Sequence, residues 1–247
     1  MLDIGFDKRW EKHPKPQATT EEVFWNKTGW KQTDLIGKCI LDAACGCGRF
    51  SAISARYSPY VTGFDISPHA VAAARENVPS GEFHEDDLLD IKHIPENQFD
   101  IVFALGTLHH TGDTHRAFQQ VAKRVKKGGE FAVWLYCQPV SDELLPVIQF
   151  LHEITREVEP ETLHRVISKY AVQVRDIYDG EWGPLQQILQ VSGSKDDEEC
   201  ISDTFDWHCP RYRDWHGEDE LKRWFAEEGF DVIWTGDFPT TVRGVKL

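Results

Sequence analysis

The densest chemistry in the sequence sits in one turn, Cys45-Gly46-Cys47-Gly48, between the apolar run Ile40-Leu41 and a stretch of helical character from Arg49. Three kinds of site compete for it. A thiol-bound metal is disfavoured, because a Cys-x-Cys pair is too tight for a zinc ligand set that prefers two to four intervening residues. Cys200, His208 and Cys209 would have to complete such a site, and six scattered cysteines read better as reduced, buried thiols with no metal. A phosphate-binding P-loop needs Lys-Ser/Thr at the helix start, where this turn runs into Arg49-Phe50-Ser51. A dinucleotide fingerprint wants a third glycine where Ser51 stands. An acidic residue does end the following strand, so a nicotinamide-dependent oxidoreductase stays open as an alternative.

The third chemistry uses more of the chain. Asp42, Asp65 and Asp87 fall at the ends of three successive expected strands. A single such aspartate is ordinarily a turn or cap residue. Three of them around a glycine turn repel a phosphate and suit a cation. Asp65 is placed to accept both hydroxyls of a ribose. Asp87 can accept from an adenine amino group beside the Leu88 N–H, and Asp42 can orient a charged amino acid moiety. Together they describe S-adenosylmethionine, whose sulfonium and ammonium are both positive.

His109 and His110 follow the fourth expected strand, at the mouth where a transferred methyl group would point. Methyl transfer chiefly requires alignment of donor and acceptor and exclusion of water. A hydroxyl acceptor also needs its proton removed, a task for a histidine near neutrality, whereas a carboxylate needs no base. Either histidine could be that base, with His110 preferred, and the other reading is a structural packing role.

These side chains need an α/β frame, and the pattern supplies one. Short apolar runs alternate with amphipathic stretches from Lys38 onward, as repeated βα units do. Strands are expected at Lys38 to Ala43, Tyr60 to Ile66, "GEFHED", "QFDIVFALG" and "EFAVWLY". Helices are expected at Arg49 to Tyr57, from a Ser67 cap with Pro68 at the first position, and from Asp113 to a stop at Gly128-Gly129. After Cys137 the pattern turns helical to about residue 190, with Pro146, Pro160 and Pro184 as starts or breaks. An acidic loop, "GSKDDEEC", follows, and then a helix ended by Gly229 and two strands joined through Pro239. The expected organisation is an arm or lid over 1–35, a cofactor-binding core over 36–140 and a helical insertion over 141–200. Residues 201–247 then supply an acceptor loop, the final helix and a terminal hairpin.

The 247 residues carry 27 Lys+Arg against 41 Asp+Glu, a formal charge of −14 that disfavours nucleic acid as a partner. No run of about 18 apolar residues occurs, so neither a membrane nor a signal segment is expected and the protein is assigned to the cytoplasm. Trp207, Tyr212, Trp215 and His216 could line an acceptor pocket, with Arg211 or Arg213 to hold an anionic group. The bland reading of the same rings is packing. "LLPVIQFLHEITREV" reads as a packing helix that shapes the substrate pocket or forms a homodimer contact.

Five segments in order resemble the motifs of the class I S-adenosylmethionine-dependent methyltransferases. They are "ILDAACGCGRF", "GFDISPHAVAAA", "HEDDLLDI", "FDIVFALGTLHH" and "RVKKGGEFAVWLY". The match runs from Lys38 to about Tyr136 and, more loosely, over the last forty residues. The resemblance implies a Rossmann-like, mostly parallel seven-stranded sheet with its last strand antiparallel and a helical insertion after the fifth. It places Asp42, Ala44, Gly46, Gly48, Asp65, Ile66, Asp87, Leu88, Ala104 and Leu105 around the cofactor. It also implies an N-terminal arm closing over the site, with Trp10 and Trp25 among the acceptor-side residues. Ala44 departs from the pattern, standing where the family has a glycine, and a slightly displaced turn with retained binding is expected. The implied activity is methyl transfer to a hydroxyl or carboxylate of a small molecule such as a sugar or secondary metabolite. A non-catalytic partner protein of the same fold is the other alternative, against which the intact acidic and glycine positions argue.

Overall fold

The computed structural model describes residues 4–15, 20–137, 144–177 and 188–247. The chain divides into two compact units: Met1–Leu2, Pro14–Cys137 and Tyr212–Leu247 form one, Asp3–His13 and Gln138–Arg211 the other.

The first unit is built on a seven-stranded sheet of order β3-β2-β1-β4-β5-β7-β6. Its strands are β1 (Ile40–Ala43), β2 (Val61–Asp65), β3 (Glu82–Glu85), β4 (Phe99–Leu105), β5 (Val125–Trp134), β6 (Phe230–Thr235) and β7 (Thr241–Lys246). β1 to β5 pair in parallel, and β7 runs antiparallel between β5 and β6. β1 is buried at all four positions and β4 at six of seven, as central parallel strands covered on both faces must be. One face holds Phe64, Val102, Phe118, Phe131 and Phe225, and a second cluster gathers Phe24, Trp30, Ile53, Ile101 and Phe103. Strand order reverses between β1 and β4, which opens a crevice at their carboxyl ends, the place where such sheets bind ligands.

The helices of this unit start where local chemistry dictates. α4 (Pro68–Asn77) is capped by Ser67, whose hydroxyl accepts from the Ala70 N–H at 3.0 Å, a bond worth about 1 kcal/mol. α5 (Thr114–Ala122) is capped in the same way by Asp113, whose carboxylate takes the Arg116 N–H. This helix stops at Ala122, not at Gly128-Gly129 as its pattern suggests. Val125, which continues the apolar spacing of α5, opens β5 opposite Phe99. Residues between Val125 and Glu130 then make the register shift against β4, with Gly129 backed closely against the Phe99 and Asp100 carbonyls.

The expected 1–35 arm is shared between the units. α2 (Thr20–Thr28) and the 3-10 turn Gln32–Leu35 carry Phe24, Trp30 and Leu35 into the core of the α/β unit, while α1 (Ile4–Lys12) belongs to the second unit. Within that second unit stand α6 (Leu145–Thr155), α7 (Pro160–Ile177) and α8 (Asp197–His208). Leu163, Ile167, Ala171, Cys200 and Phe205 form their shared core, and Arg175 of α7 binds Asp197 at 2.8 Å. The acidic stretch expected as a loop caps and opens α8. Asp196 accepts the Glu199 N–H, and Asp197, Glu198 and Glu199 sit at the positive end of the helix dipole. Pro184 lies outside the described residues. The final helix, α9 (Glu218–Glu227), ends at Gly229 as expected and leads into the β6–β7 hairpin.

Candidate functional site

The turn after β1 is shaped by three left-handed residues, Ala44 (φ 58°), Gly46 (φ 53°) and Gly48 (φ 78°). Ala44 adopts the conformation that a glycine would take there at less cost, since a left-handed alanine is strained by about 1–2 kcal/mol. The Cys45 N–H reaches the Phe64 carbonyl at 2.9 Å, closing the turn onto β2, and Gly48 begins α3 (Arg49–Ser54). A Cβ at Gly48 would stand 3.2 Å from Ala74, so this position also lets α3 approach α4. Cys45 and Cys47 are buried and not joined in a disulfide, and burial together with the nearby Asp42 and Asp65 carboxylates pushes the Cys45 thiol well above its usual range. A thiol held in that form packs and does not react. Cys200 and Cys209 belong to the other unit, and no group of three or more metal-ligating side chains occurs among the described residues.

Asp42 is 2% exposed and takes the Ser51 hydroxyl at 2.7 Å, tying β1 to α3. Burial raises its pKa to about 7, with the Asp65 charge adding to the rise and Ser51 opposing it. Asp65, at the tip of β2, receives the Gly46 N–H on one carboxylate oxygen and the Ser67 N–H on the other, both at 2.9 Å. It thereby braces the glycine turn against the start of α4. Past β3, Asp87 accepts the Leu89 N–H and is half-buried. Its neighbour Asp86 was passed over in the sequence, yet it is the more enclosed of the two and gathers the Asp87, Lys92 and His93 amides. An Asp-Asp doublet at a strand end was the only signal for it. Ile66 is half-buried beside Asp65, and Leu88 is buried. Ala104 and Leu105 pack their side chains into separate cores, so they offer a ligand backbone only. Four carboxylates at the tips of β1, β2 and β3 around a glycine turn fit a cationic nucleoside and oppose a pyrophosphate.

Across the crevice, after β4, the two histidines differ. His109 is fully buried, and its Nδ1 receives the Tyr136 N–H at 3.3 Å. Its proton therefore resides on Nε2, which finds no hydrogen-bond partner among the described residues. Burial first, then the electrostatic influence of the nearby His110, His216, Lys27 and Arg213 side chains, holds its pKa well below the ordinary value. His110 is half-buried, and its Nδ1–H donates to the Tyr212 carbonyl at 3.0 Å, which leaves the lone pair on Nε2.

The segment from Tyr212 to His216 runs over this pair. The Asp214 N–H binds the His109 carbonyl at 3.0 Å and the His216 N–H the Tyr136 carbonyl at 2.9 Å. Trp215 stacks against Tyr136 at 6.0 Å between centroids, and the Arg213 guanidinium lies 5.2 Å from the Trp215 ring. Tyr136 also packs 3.9 Å from His109, a neighbour that its place at the end of β5 did not advertise. His216 is held by Glu220 at 3.1 Å. Trp25 is set apart from these groups. It packs edge-on against Phe24 and Tyr57, beyond the carboxyl end of α3. Trp10 and Trp207 lie in the second unit, Trp10 beneath the Arg9 guanidinium and Trp207 half-buried near the end of α8.

Comparison with known proteins agrees with the geometry. Residues 41–133 match the methyltransferase domain family. The ubiquinone biosynthesis O-methyltransferase of Aromatoleum aromaticum is 23% identical over 67% of this chain and 77% of its own. An uncharacterized methyltransferase of Mycobacterium tuberculosis is 34% identical over 41% of this chain, which spans about half (52%) of that relative. Among solved structures, the magnesium protoporphyrin IX methyltransferase of Synechocystis PCC 6803 with bound S-adenosylhomocysteine shares the fold. It has a TM-score of 0.58 at 16% identity, covering 99% of this chain and 96% of that one. The sheet order, the carboxylate-ringed glycine turn and these relatives converge: the chain is a class I S-adenosylmethionine-dependent methyltransferase.

Proposed function

We propose that the enzyme methylates a hydroxyl group of a small molecule, such as a sugar or secondary metabolite, with His110 as the general base. One observation supports the reading: His110 Nδ1 lies 3.0 Å from the Tyr212 carbonyl, so a ring that donates its proton there has Nε2 as its acceptor nitrogen. A carboxylate acceptor would give such a base nothing to do. The relative named for O-methylation supports oxygen as the acceptor atom, and the charge of −14 argues against nucleic acid.

The bound cofactor supplies an electrophilic methyl on a positive sulfur. In this assignment Asp65 and Ile66 hold its ribose and adenine side, Asp87 and the Leu88 N–H its adenine edge, and the Ala44–Gly48 turn with Asp42 its amino acid end. The backbone at Ala104 and Leu105 completes the wall. Tyr212, Trp215 and His216 line the acceptor side. His110 Nε2 would take the proton of the acceptor hydroxyl as that oxygen receives the methyl group the cofactor would supply, the sulfur keeping the electron pair of the broken bond. His109, neutral and turned to Tyr136, positions the segment and takes no proton. The described cysteines form no disulfide, which suits the reducing cytoplasm, and no described helix is long and apolar enough to cross a membrane.

The test is a screen of hydroxylated acceptors for S-adenosylhomocysteine formation, comparing the wild type with His110→Gln. Turnover of hydroxyl compounds that collapses in the variant supports the reading. Turnover of carboxylates alone, indifferent to the variant, contradicts it.

A further inference from the structure

The helical unit brings together two histidines that lie outside the residues assigned to methyl transfer. His13 and His164 stand 151 positions apart in the chain, and their Nε2 atoms face each other at 2.9 Å. Both rings sit on fixed supports. His13 closes the last turn of α1, its N–H on the Arg9 carbonyl at 2.8 Å, and His164 lies on α7 edge-on to the buried Phe205 at 5.2 Å between centroids. Each ring also has a partner at its other nitrogen. His13 Nδ1 lies 3.8 Å from the Glu198 carboxylate, and His164 Nδ1 lies 3.4 Å from the Ser168 hydroxyl. A proton on His13 Nδ1, toward the carboxylate, leaves a lone pair on its Nε2 facing His164. Burial first, then His164, Arg9 and Lys12, lower the His13 pKa to about 4, and burial also lowers that of His164, so both rings are neutral and able to ligate near pH 7. The cations close by are themselves matched: Lys8 and Lys12 bind Glu161 at 2.7 and 3.3 Å, and Arg9 binds Asp206 at 2.8 Å.

We infer that His13 and His164 form a binding site for a divalent late transition-metal ion, which clasps α1 to α7. Neutral imidazole suits zinc, nickel and copper. Two nitrogens bound to one ion at about 2.0–2.1 Å stand about 2.9 Å apart at a right angle and about 3.3 Å apart at the tetrahedral angle. The observed spacing therefore admits the ion with a shift of about 0.4 Å at most. Glu198 and Ser168 stand where a ligating histidine ordinarily finds the group that orients it. In the metal-free pair His164 supplies the one proton between the two nitrogens. When the ion enters, that proton moves to His164 Nδ1, facing the Ser168 oxygen, and both lone pairs meet the metal. No third His, Cys, Asp or Glu completes a metal-binding group among the described residues, so water fills the other positions and the ion exchanges with solvent.

The experiment is a titration of the full chain, isotopically labelled at histidine nitrogen and first stripped of metal with EDTA, with zinc chloride at neutral pH, read by long-range proton–nitrogen NMR. The Nε2 signals of His13 and His164 are expected to move together and to saturate at one zinc per chain. His13→Gln should abolish the response of His164, and His164→Gln that of His13. Zinc affinity at the pair should fall at least about tenfold in each variant, since losing even the group behind a ligand costs about 10–100-fold. Each histidine is followed separately, so zinc held by a cysteine elsewhere does not mimic the result, and the wild-type titration decides alone if a variant fails to fold. Zinc that leaves both Nε2 signals in place, that moves only one of them, or that still moves one ring after its partner is replaced overturns the inference and leaves the pair as a proton-sharing contact.

Discussion

His109 and His110 are adjacent in the chain and fixed in opposite tautomers. His109 receives the Tyr136 amide on Nδ1 and so carries its proton on Nε2, while His110 gives its Nδ1 proton to the Tyr212 carbonyl and keeps its lone pair on Nε2. A doublet that looks redundant in sequence is thereby held by two different Nδ1 partners, and the base role proposed for His110 follows from its tautomer.

The two tautomers are distinguishable by long-range proton–nitrogen NMR of the imidazoles. His109 is expected as the Nε2–H form, staying neutral at pH values where an ordinary histidine is charged, because burial and its cationic neighbours depress its pKa. His110 is expected as the Nδ1–H form. Identical tautomers at the two rings would remove the distinction.

Asp65 braces the turn and is also the residue proposed to hold the cofactor's ribose. Because its carboxylate takes the Gly46 and Ser67 amides, Asp65→Ala leaves two buried donors unmet and is expected to cost about 1–3 kcal/mol of stability. Cofactor affinity should fall by more than tenfold in the same variant, since a charge-assisted contact to the ribose is worth roughly 1.5–3 kcal/mol. Asp65→Asn should recover part of the stability and little of the affinity. Urea denaturation and S-adenosylhomocysteine titration read the two losses independently, and unchanged affinity in both variants counts against the ribose assignment.

Ala44 at φ 58° carries strain that glycine would not. Relief of about 1–2 kcal/mol exceeds the added chain entropy of glycine, about 0.5–1 kcal/mol, so Ala44→Gly is expected to stabilise by roughly 0.5–1 kcal/mol. A rise in Tm of about 1–4 °C would register it. A fall in Tm would show that the alanine methyl packs usefully against its core neighbours.

Asp42 should make folding depend on pH. Its folded pKa, about 7, exceeds the ordinary 3.8, so the contribution is fully present below 3.8 and is lost as pH rises toward 7. The difference amounts to roughly 4 kcal/mol at most. Asp42→Asn keeps the Ser51 bond and removes the ionisation. The wild type should therefore lose stability relative to that variant between pH 4 and pH 7, and parallel stability curves would contradict the account.

Much of this was legible. The βα alternation, the Ser67-Pro68 helix start and the terminal hairpin follow from local rules and appear in the structure, because each depends on neighbours close in sequence. What the sequence concealed depends on distant partners. Val125 fits the apolar stripe of α5 and yet joins β5, because pairing with Phe99 outweighs one more helical turn. The acidic run at 196–199 is largely exposed as its composition suggests, yet it opens a helix rather than a loop, with Asp197 meeting Arg175 of another helix. Trp25 and Phe24 were indistinguishable as core or lid residues until β4 supplied Phe103 beneath Phe24. The sequence already prefers His110 over His109, but the contacts that distinguish the two rings come from the carbonyl of Tyr212 and the amide of Tyr136, which no local pattern announces.

The central claim is that His110 removes the proton of a hydroxyl acceptor, and the pH dependence of kcat in His110→Gln tests it most directly. The account predicts a kcat lowered by about 10²–10⁴ at neutral pH, recovering as hydroxide replaces the missing base, with S-adenosylmethionine affinity unchanged. A variant that turns over at the wild-type rate with the wild-type pH profile would contradict it.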